Sequence, residues 1–84
     1  MTYIESIPSN KKKEVVQSAM KIIATNIRVR QAELGRSNAE VYLRAGIGCD
    51  AYRKLIQGAR ASSIETIVSV AMALDIKPLD LFKE

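Results

Sequence analysis

The residues of this chain with the clearest chemical capacity are basic side chains. Asp50 is the one acidic residue between positions 44 and 60, and four basic residues lie in the same segment: Arg44, Arg53, Lys54 and Arg60. A second cluster is Lys11-Lys12-Lys13. Such groups attract phosphate polyanions or acidic protein partners. Charge alone leaves binding and an ordinary solvated surface as equal alternatives.

Residue types for catalysis and metal binding are scarce. The chain has no histidine, and Cys49 is its one cysteine, so we predict no metal site, no cofactor and no internal disulfide. No glycine-rich phosphate loop follows a strand, and no nucleophile is spaced to pair with a base. No apolar run approaches the ~20 residues of a membrane span, and the first residues lack the order of a signal peptide. We therefore expect a cytoplasmic protein that is not an enzyme.

The elements that must position the basic residues are helices. The chain has 84 residues and a net charge of +4, and its apolar residues recur at helical spacing, without the alternation of a strand. This spacing predicts helices over 11–34, 38–45 and 49–57, a fourth helix opened by a Ser62–Glu65 capping box, and a last turn or two over 79–82. We predict an all-α domain of five helices over 11–84, preceded by an N-terminal arm over 1–10.

The segment 38–57 has the proportions of a DNA-binding helix-turn-helix. Ser37 and Glu40 form a capping box that opens the first motif helix, and Gly46 supplies the positive φ that the turn needs. The side chains expected to face inward are Val41, Ala45, Ile47, Tyr52 and Leu55. On the second motif helix we expect an inner arc of Ala51, Tyr52, Leu55 and Ile56. The outer arc is Cys49, Asp50, Arg53, Lys54 and Gln57.

From about residue 27 to 82 the sequence resembles the lambda-repressor and Cro family of helix-turn-helix domains, also called the XRE family. The likeness is carried, in order, by segments 33–41 (ELGRSNAEV), 45–48 (AGIG), 55–58 (LIQG), 63–67 (SIETI) and 73–82 (ALDIKPLDLF). The resemblance implies a lambda-repressor-like fold that binds double-stranded DNA, with the second motif helix in the major groove. It also implies a homodimer on a near-palindromic operator.

The resemblance assigns roles by position. The expected base-reading residues are Cys49, Asp50, Arg53 and Lys54. The expected phosphate-contacting residues are Ser37, Asn38, Gln57, Arg60, Lys11, Lys12 and Lys13. Asp50 either accepts from a cytosine or braces a neighbouring cation, and Cys49 is either a small groove-facing residue or a redox or metal switch. The lysine cluster either touches DNA, as lysine-rich arms do in some lambda-type repressors, or only adds solubility.

Two departures from the family pattern bear on docking. Tyr42 stands where the family prefers alanine, so its ring must widen the helix crossing or slide toward the surface. Arg36 stands where leucine is usual before the cap. On the first helix, Val15, Ile22 and Val29 form a row at seven-residue spacing, which either covers Tyr3, Ile4, Ile7 or the last turn, or forms a dimer seam.

Two functions fit these observations. The first is a sequence-specific transcriptional regulator, a repressor encoded by a bacterium, phage or plasmid. The second is a protein-interaction module, an antitoxin-like or antirepressor-like partner, for which Tyr42 and an exposed Leu43 would be suited. A regulatory protein partner fits either function.

Overall fold

The protein is all-α. A computed structural model describes residues 6–59 and 61–84, and it contains four α-helices followed by a short 3-10 helix. The helices are α1 (Ser9–Leu34), α2 (Asn38–Ala45), α3 (Cys49–Gln57) and α4 (Ile64–Ala73), and the 3-10 helix, η1, spans Pro78–Phe82. None of these described helices has the length and apolar character needed to cross a membrane. The predicted helical class is confirmed, and the expected last turn is the 3-10 helix.

The core forms where the inner faces of all five elements meet. Its largest fully buried side chains come from every element, and they are Tyr52, Ile23, Ile27, Leu55, Leu74, Leu81, Val41 and Val70. Each helix thus contributes an apolar face that water would otherwise contact, which is the main source of stability for so short a chain. The inward positions predicted for the motif are confirmed, since Val41, Tyr52 and Leu55 are buried and Ala45 and Ile47 are half-buried.

Glycine ends three of the α-helices. Gly35, Gly46 and Gly58 have φ values of 63°, 71° and 64°, and their N–H groups bond carbonyls of the preceding turn. A side chain in this left-handed region is strained, and glycine is not. The predicted ends of α1, α2 and α3 are therefore confirmed, and the turn at Gly46 sets the direction in which α3 leaves α2.

Helix α1 begins earlier than predicted, and its first turns extend beyond the core. It starts at Ser9 with Pro8 as its N-cap, so the expected arm over 1–10 loses its last two residues to the helix. Its first ten residues are exposed, and Met20 is its first buried residue. Val16 stands at helical spacing from the buried Met20 and Ile23, but it is 42% exposed because this end of α1 runs past the body of the domain.

The start of α4 differs from the prediction. Its N-cap is Ser63, whose hydroxyl accepts from the Thr66 N–H at 3.2 Å, so the Ser62–Glu65 capping box is wrong. Adjacent serines offer the same oxygen, and the backbone of Ser63 has the extended cap conformation, with φ −67° and ψ 154°. Ile64 stands at helical spacing from the buried Ile67 and Ala71, but it is 67% exposed.

Two arginines, one in α1 and one in the α1–α2 connection, bond groups at the end of α4. Arg30 donates to the carbonyls of Leu74 at 3.0 Å and Asp75 at 3.2 Å. Arg36 donates to the Ala73 carbonyl and pairs with the Asp75 carboxylate at 3.0 Å. These bonds satisfy carbonyls at the end of α4 that lack helical partners. Arg36 therefore caps a neighbouring helix.

Candidate functional site

The exposed face of α3 carries the residues expected to read bases. Tyr52 and Leu55 are buried on the inner face of this helix, with 1% and 0% of their surface exposed, and they fix its rotation. The opposite face is open to solvent and presents all five side chains of the predicted outer arc: Cys49, Asp50, Arg53, Lys54 and Gln57. Ala51, expected on the inner arc, is exposed instead, because this turn lies beside the start of α4, where the two helices leave a hollow between them.

Arg53 is the centre of this face. Its Nη2 lies 3.4 Å from Oδ1 of Asp50 and 3.8 Å from Sγ of Cys49. The hydrogen bond with Cys49, and after it the charge of Asp50, raise the pKa of Arg53 above its ordinary value. In the free protein Asp50 therefore pairs with Arg53. The guanidinium stays about 60% exposed, so its donors remain accessible to a ligand.

Lys54 lies over the entrance to α4. It lines a hollow of about 200 Å³ together with Ala51, Ala61, Ser62, Ser63 and Thr66. The first turn of α4 therefore lies beside the exposed face of α3. Because the N–H groups of a first turn point outward along the helix, they add donors next to the lysine.

The lysine cluster lies near the same surface. Lys12 and Lys13 line a groove of about 410 Å³ with Val16, Gln17, Ala59 and Ala61. Ala61 belongs to both hollows, so the cations of α1 and the cation of α3 lie on either side of the α3–α4 connection. Lys11 is exposed, and its N–H donates to Asn10 at 3.0 Å. The structure thus brings two of the three lysines toward α3, and Arg60 lies outside the described residues.

The start of α2 forms the other flank of α3. Ser37 accepts from the Glu40 N–H at 3.2 Å, and Glu40 accepts in return from the Ser37 N–H at 3.3 Å, so the predicted capping box is confirmed. Asn38 follows on the exposed side and lines a hollow of about 310 Å³ with Arg28 of α1 and Ile56 of α3. Asn38 therefore lies near Ile56 in the second half of α3, with Arg28 as an adjacent cation, and Ser37 directly precedes it.

Gln31 connects these parts, although it is not among the site residues predicted from the sequence. Its Oε1 accepts from the Tyr52 hydroxyl at 2.5 Å, while its Nε2 donates to Asn38 at 2.8 Å and to the Arg36 carbonyl at 3.0 Å. One amide thus links α1, the α1–α2 connection and α3. The signal was available, because Gln31 is a polar residue four positions after the buried Ile27 on the inner face of α1.

Tyr42 packs at the crossing of the two motif helices. Its ring centroid lies 6.4 Å from that of Tyr52, with a tilt of 48° between the planes, and its side chain is half-buried. This is an ordinary geometry for an aromatic pair. The ring therefore lies at the edge of the crossing, which agrees with the expectation that it slides toward the surface.

Metal ligands are not gathered anywhere in the described part of the chain, where no group of three or more such side chains lies together. Cys49, the free cysteine, is exposed on α3. Comparison with known proteins adds nothing to the site, since no protein-family model, curated protein or solved structure matches the chain.

Proposed function

We propose that this protein is a transcriptional regulator that binds double-stranded DNA in a sequence-specific manner. The observation that carries the proposal is the division of α3 into two faces. One is locked into the core by Tyr52 and Leu55, and the other presents Arg53, Lys54 and other hydrogen-bonding groups to solvent. A short rigid helix with a free polar face is what major-groove readout requires.

The flanks of α3 support this proposal. Phosphate contacts orient a protein on the duplex while base contacts supply specificity. Here, cations and N–H groups lie on both sides of the reading face. The start of α2 with Arg28 is on one side, and the start of α4 with Lys12 and Lys13 is on the other. The two phosphate strands that border a groove would meet these two flanks.

The sequence resemblance completes the proposal. A lambda-repressor-like domain of the XRE type would act as a dimer on a near-palindromic operator, in the cytoplasm of a bacterium that carries the gene itself or on a phage or plasmid. In this proposal Cys49, Asp50, Arg53 and Lys54 face base edges. The proposed phosphate-contacting residues are Ser37, Asn38, Gln57, Arg60, Lys11, Lys12 and Lys13.

The proposal is tested by selection from a pool of random duplex DNA at several salt concentrations, followed by sequencing of the retained molecules. We expect a two-fold-symmetric motif and an affinity that falls linearly on logarithmic axes as salt rises, because each phosphate contact releases counterions. Retained DNA with no enrichment over the starting pool would contradict the proposal.

A protein-interaction role is the second candidate, and one observation favours it. Leu43 on α2 is 72% exposed and follows the half-buried Tyr42. An apolar side chain is therefore available there for contact with a protein partner. Under this hypothesis the same selection yields no motif, and the Leu43→Asp variant folds normally but loses binding to its protein partner. The two functions are thus separated by the DNA selection alone.

A further inference from the structure

Gln31 of α1 forms a series of hydrogen bonds that runs from the core to the surface. Its Oε1 accepts at 2.5 Å from the hydroxyl of Tyr52, a residue with 1% of its surface exposed. Its Nε2 donates to the Arg36 carbonyl at 3.0 Å and to Oδ1 of Asn38 at 2.8 Å. Both N–H bonds of the Gln31 amide are therefore engaged within the protein, and so is its oxygen.

The carbonyl of Arg36 fixes the direction of this series. A backbone carbonyl can only accept, so it requires the nitrogen end of the Gln31 amide. If the amide were turned over, its Oε1 would face that carbonyl oxygen, and a hydrogen bond would be replaced by two opposed acceptors. The Tyr52 hydroxyl is able to donate, which matches the oxygen end. The orientation of Gln31 thus follows from the backbone of the α1–α2 connection.

The orientation of Gln31 determines which atom Asn38 presents to solvent. Because Nε2 of Gln31 donates, Asn38 has to accept with its Oδ1, and its Nδ2 is directed away from Gln31. Asn38 is exposed, and its side chain makes no other hydrogen bond among the described residues. The outward group of Asn38 is therefore a donor with both of its N–H bonds free.

The surroundings of Asn38 favour an anionic acceptor as its partner. The hollow of about 310 Å³ that Asn38 lines also contains Arg28, whose Nη1 donates to the Ile56 carbonyl at 2.6 Å. Arg28 is exposed, and a guanidinium has five N–H donors, so several remain for a ligand. None of the described residues that line this hollow is acidic. Donors without neighbouring acceptors bind a negatively charged oxygen, such as that of a DNA phosphate.

We propose that Gln31 is a positioning residue for the phosphate contact of Asn38, and this inference rests on the proposed function. Gln31 does not itself contact DNA. It holds the Asn38 amide with its N–H groups outward before the duplex arrives, which removes part of the ordering cost of binding. Because a phosphate contact carries no sequence information, the effect of Gln31 is on affinity and not on base preference.

The first test needs no DNA. The exchange of side-chain amide protons with solvent is measured by NMR on isotope-labelled protein. The protons on Nε2 of Gln31 should exchange about 2- to 10-fold more slowly than those on Nδ2 of Asn38, the factor that corresponds to one hydrogen bond. Equal rates, or slower exchange at Asn38, would overturn the inference, because Asn38 would then not be the acceptor of this pair.

The second test is a double-mutant cycle for affinity on the selected duplex. Gln31→Met keeps the length of the side chain and removes its hydrogen-bonding groups, while Asn38→Ala removes the phosphate contact. Each should lower affinity by about 2- to 10-fold without changing the selected motif. The double variant should bind like Asn38→Ala alone, since Gln31 acts only through Asn38. Losses that multiply in the double variant would overturn the inference.

Two further variants separate positioning from a general loss of stability. Asn38→Asp keeps the acceptor for Gln31 but turns a carboxylate oxygen outward, so it should bind weaker than Asn38→Ala by a further factor of about 2–5. Asn26→Ala removes another α1 amide, which donates to the carbonyls of Leu81 and Lys83 at 2.7 Å, and should leave affinity unchanged. Unchanged affinity in Asn38→Asp, or equal losses in Asn26→Ala and Gln31→Met, would overturn the inference. Absence of DNA binding by the unmodified protein would instead reject the proposed function, and the exchange rates would still decide the orientation of Asn38.

Discussion

The hydroxyl of Tyr52 joins the core to the proposed DNA-binding surface. It donates to Oε1 of Gln31 at 2.5 Å, and the same amide holds Asn38 through its Nε2. Tyr52→Phe removes this donor and keeps the ring. A hydrogen bond contributes about 0.5–1.5 kcal/mol net, and the half-buried Gln31 oxygen can regain some water. We therefore expect a loss of about 1 kcal/mol, or roughly 4–8 °C in Tm for a domain of this size.

The same substitution should change the alkaline stability. Burial raises the pKa of Tyr52 from 10.0 to about 12. Below pH 10 both states hold the proton and the stability is fully present. As the pH rises from 10 toward 12 the unfolded state ionises first, so the free energy of unfolding falls. Two pKa units correspond to at most about 2.7 kcal/mol. We expect about 1–2 kcal/mol, because the hydroxyl lies beside the half-buried Gln31, where solvent screens part of the effect.

The assay is urea unfolding followed by circular dichroism at pH 7 and across pH 9–12. Tyr52→Phe should be less stable at pH 7 and lose less stability than the unmodified protein as the pH rises. Tyr42→Phe is the matched control, because its hydroxyl makes no hydrogen bond among the described residues, and it should follow the unmodified protein. Identical curves for Tyr52→Phe and the unmodified protein would refute this account of the Gln31 contact.

Three further outcomes follow from the caps and the charges. Ser63→Ala should cost about 1 kcal/mol in the free energy of unfolding and Ser62→Ala much less, because the structure assigns the α4 cap to Ser63; equal losses would contradict that assignment. Gly48→Ser should raise Tm by a few degrees, since α3 has an extended N-cap without a side-chain bond and open space around it; a lower Tm would refute this. Lys12→Ala should weaken binding evenly across DNA sequences and reduce the salt slope by about 1, while Lys77→Ala, which removes the same charge at the start of η1, should not; equal slopes for the two variants would remove Lys12 from the proposed phosphate-contacting residues.

The helices could be predicted from sequence because their ends are marked by local chemistry. Gly35, Gly46 and Gly58 each end a helix by adopting a positive φ. Glycine adopts this conformation without strain, so the helix end does not depend on contacts with distant residues. The Ser37–Glu40 box is equally local, since both of its hydrogen bonds lie within four residues. Helical periodicity then predicted which side chains of α3 are exposed, except that Ala51 was expected to face inward.

The remaining features depend on contacts between distant segments. Val16 continues the apolar stripe of α1, and only the length of α1 relative to the body of the domain shows that it is exposed. Arg36 and Gln31 bond groups 37 and 21 residues away in sequence, which spacing along one helix cannot reveal. The choice between Ser62 and Ser63 as the cap depends on how the chain enters α4 after Gly58.

The central claim is that the exposed face of α3 reads DNA bases, and Arg53 tests it most directly. The measurement is the affinity of the Arg53→Ala variant for the selected duplex and for duplexes altered at each base pair. We expect Arg53→Ala to lose about 1–3 kcal/mol of binding free energy on the selected duplex and to relax the preference at one base pair, while Lys77→Ala retains both affinity and preference. Unchanged preference at every base pair in Arg53→Ala would contradict the claim.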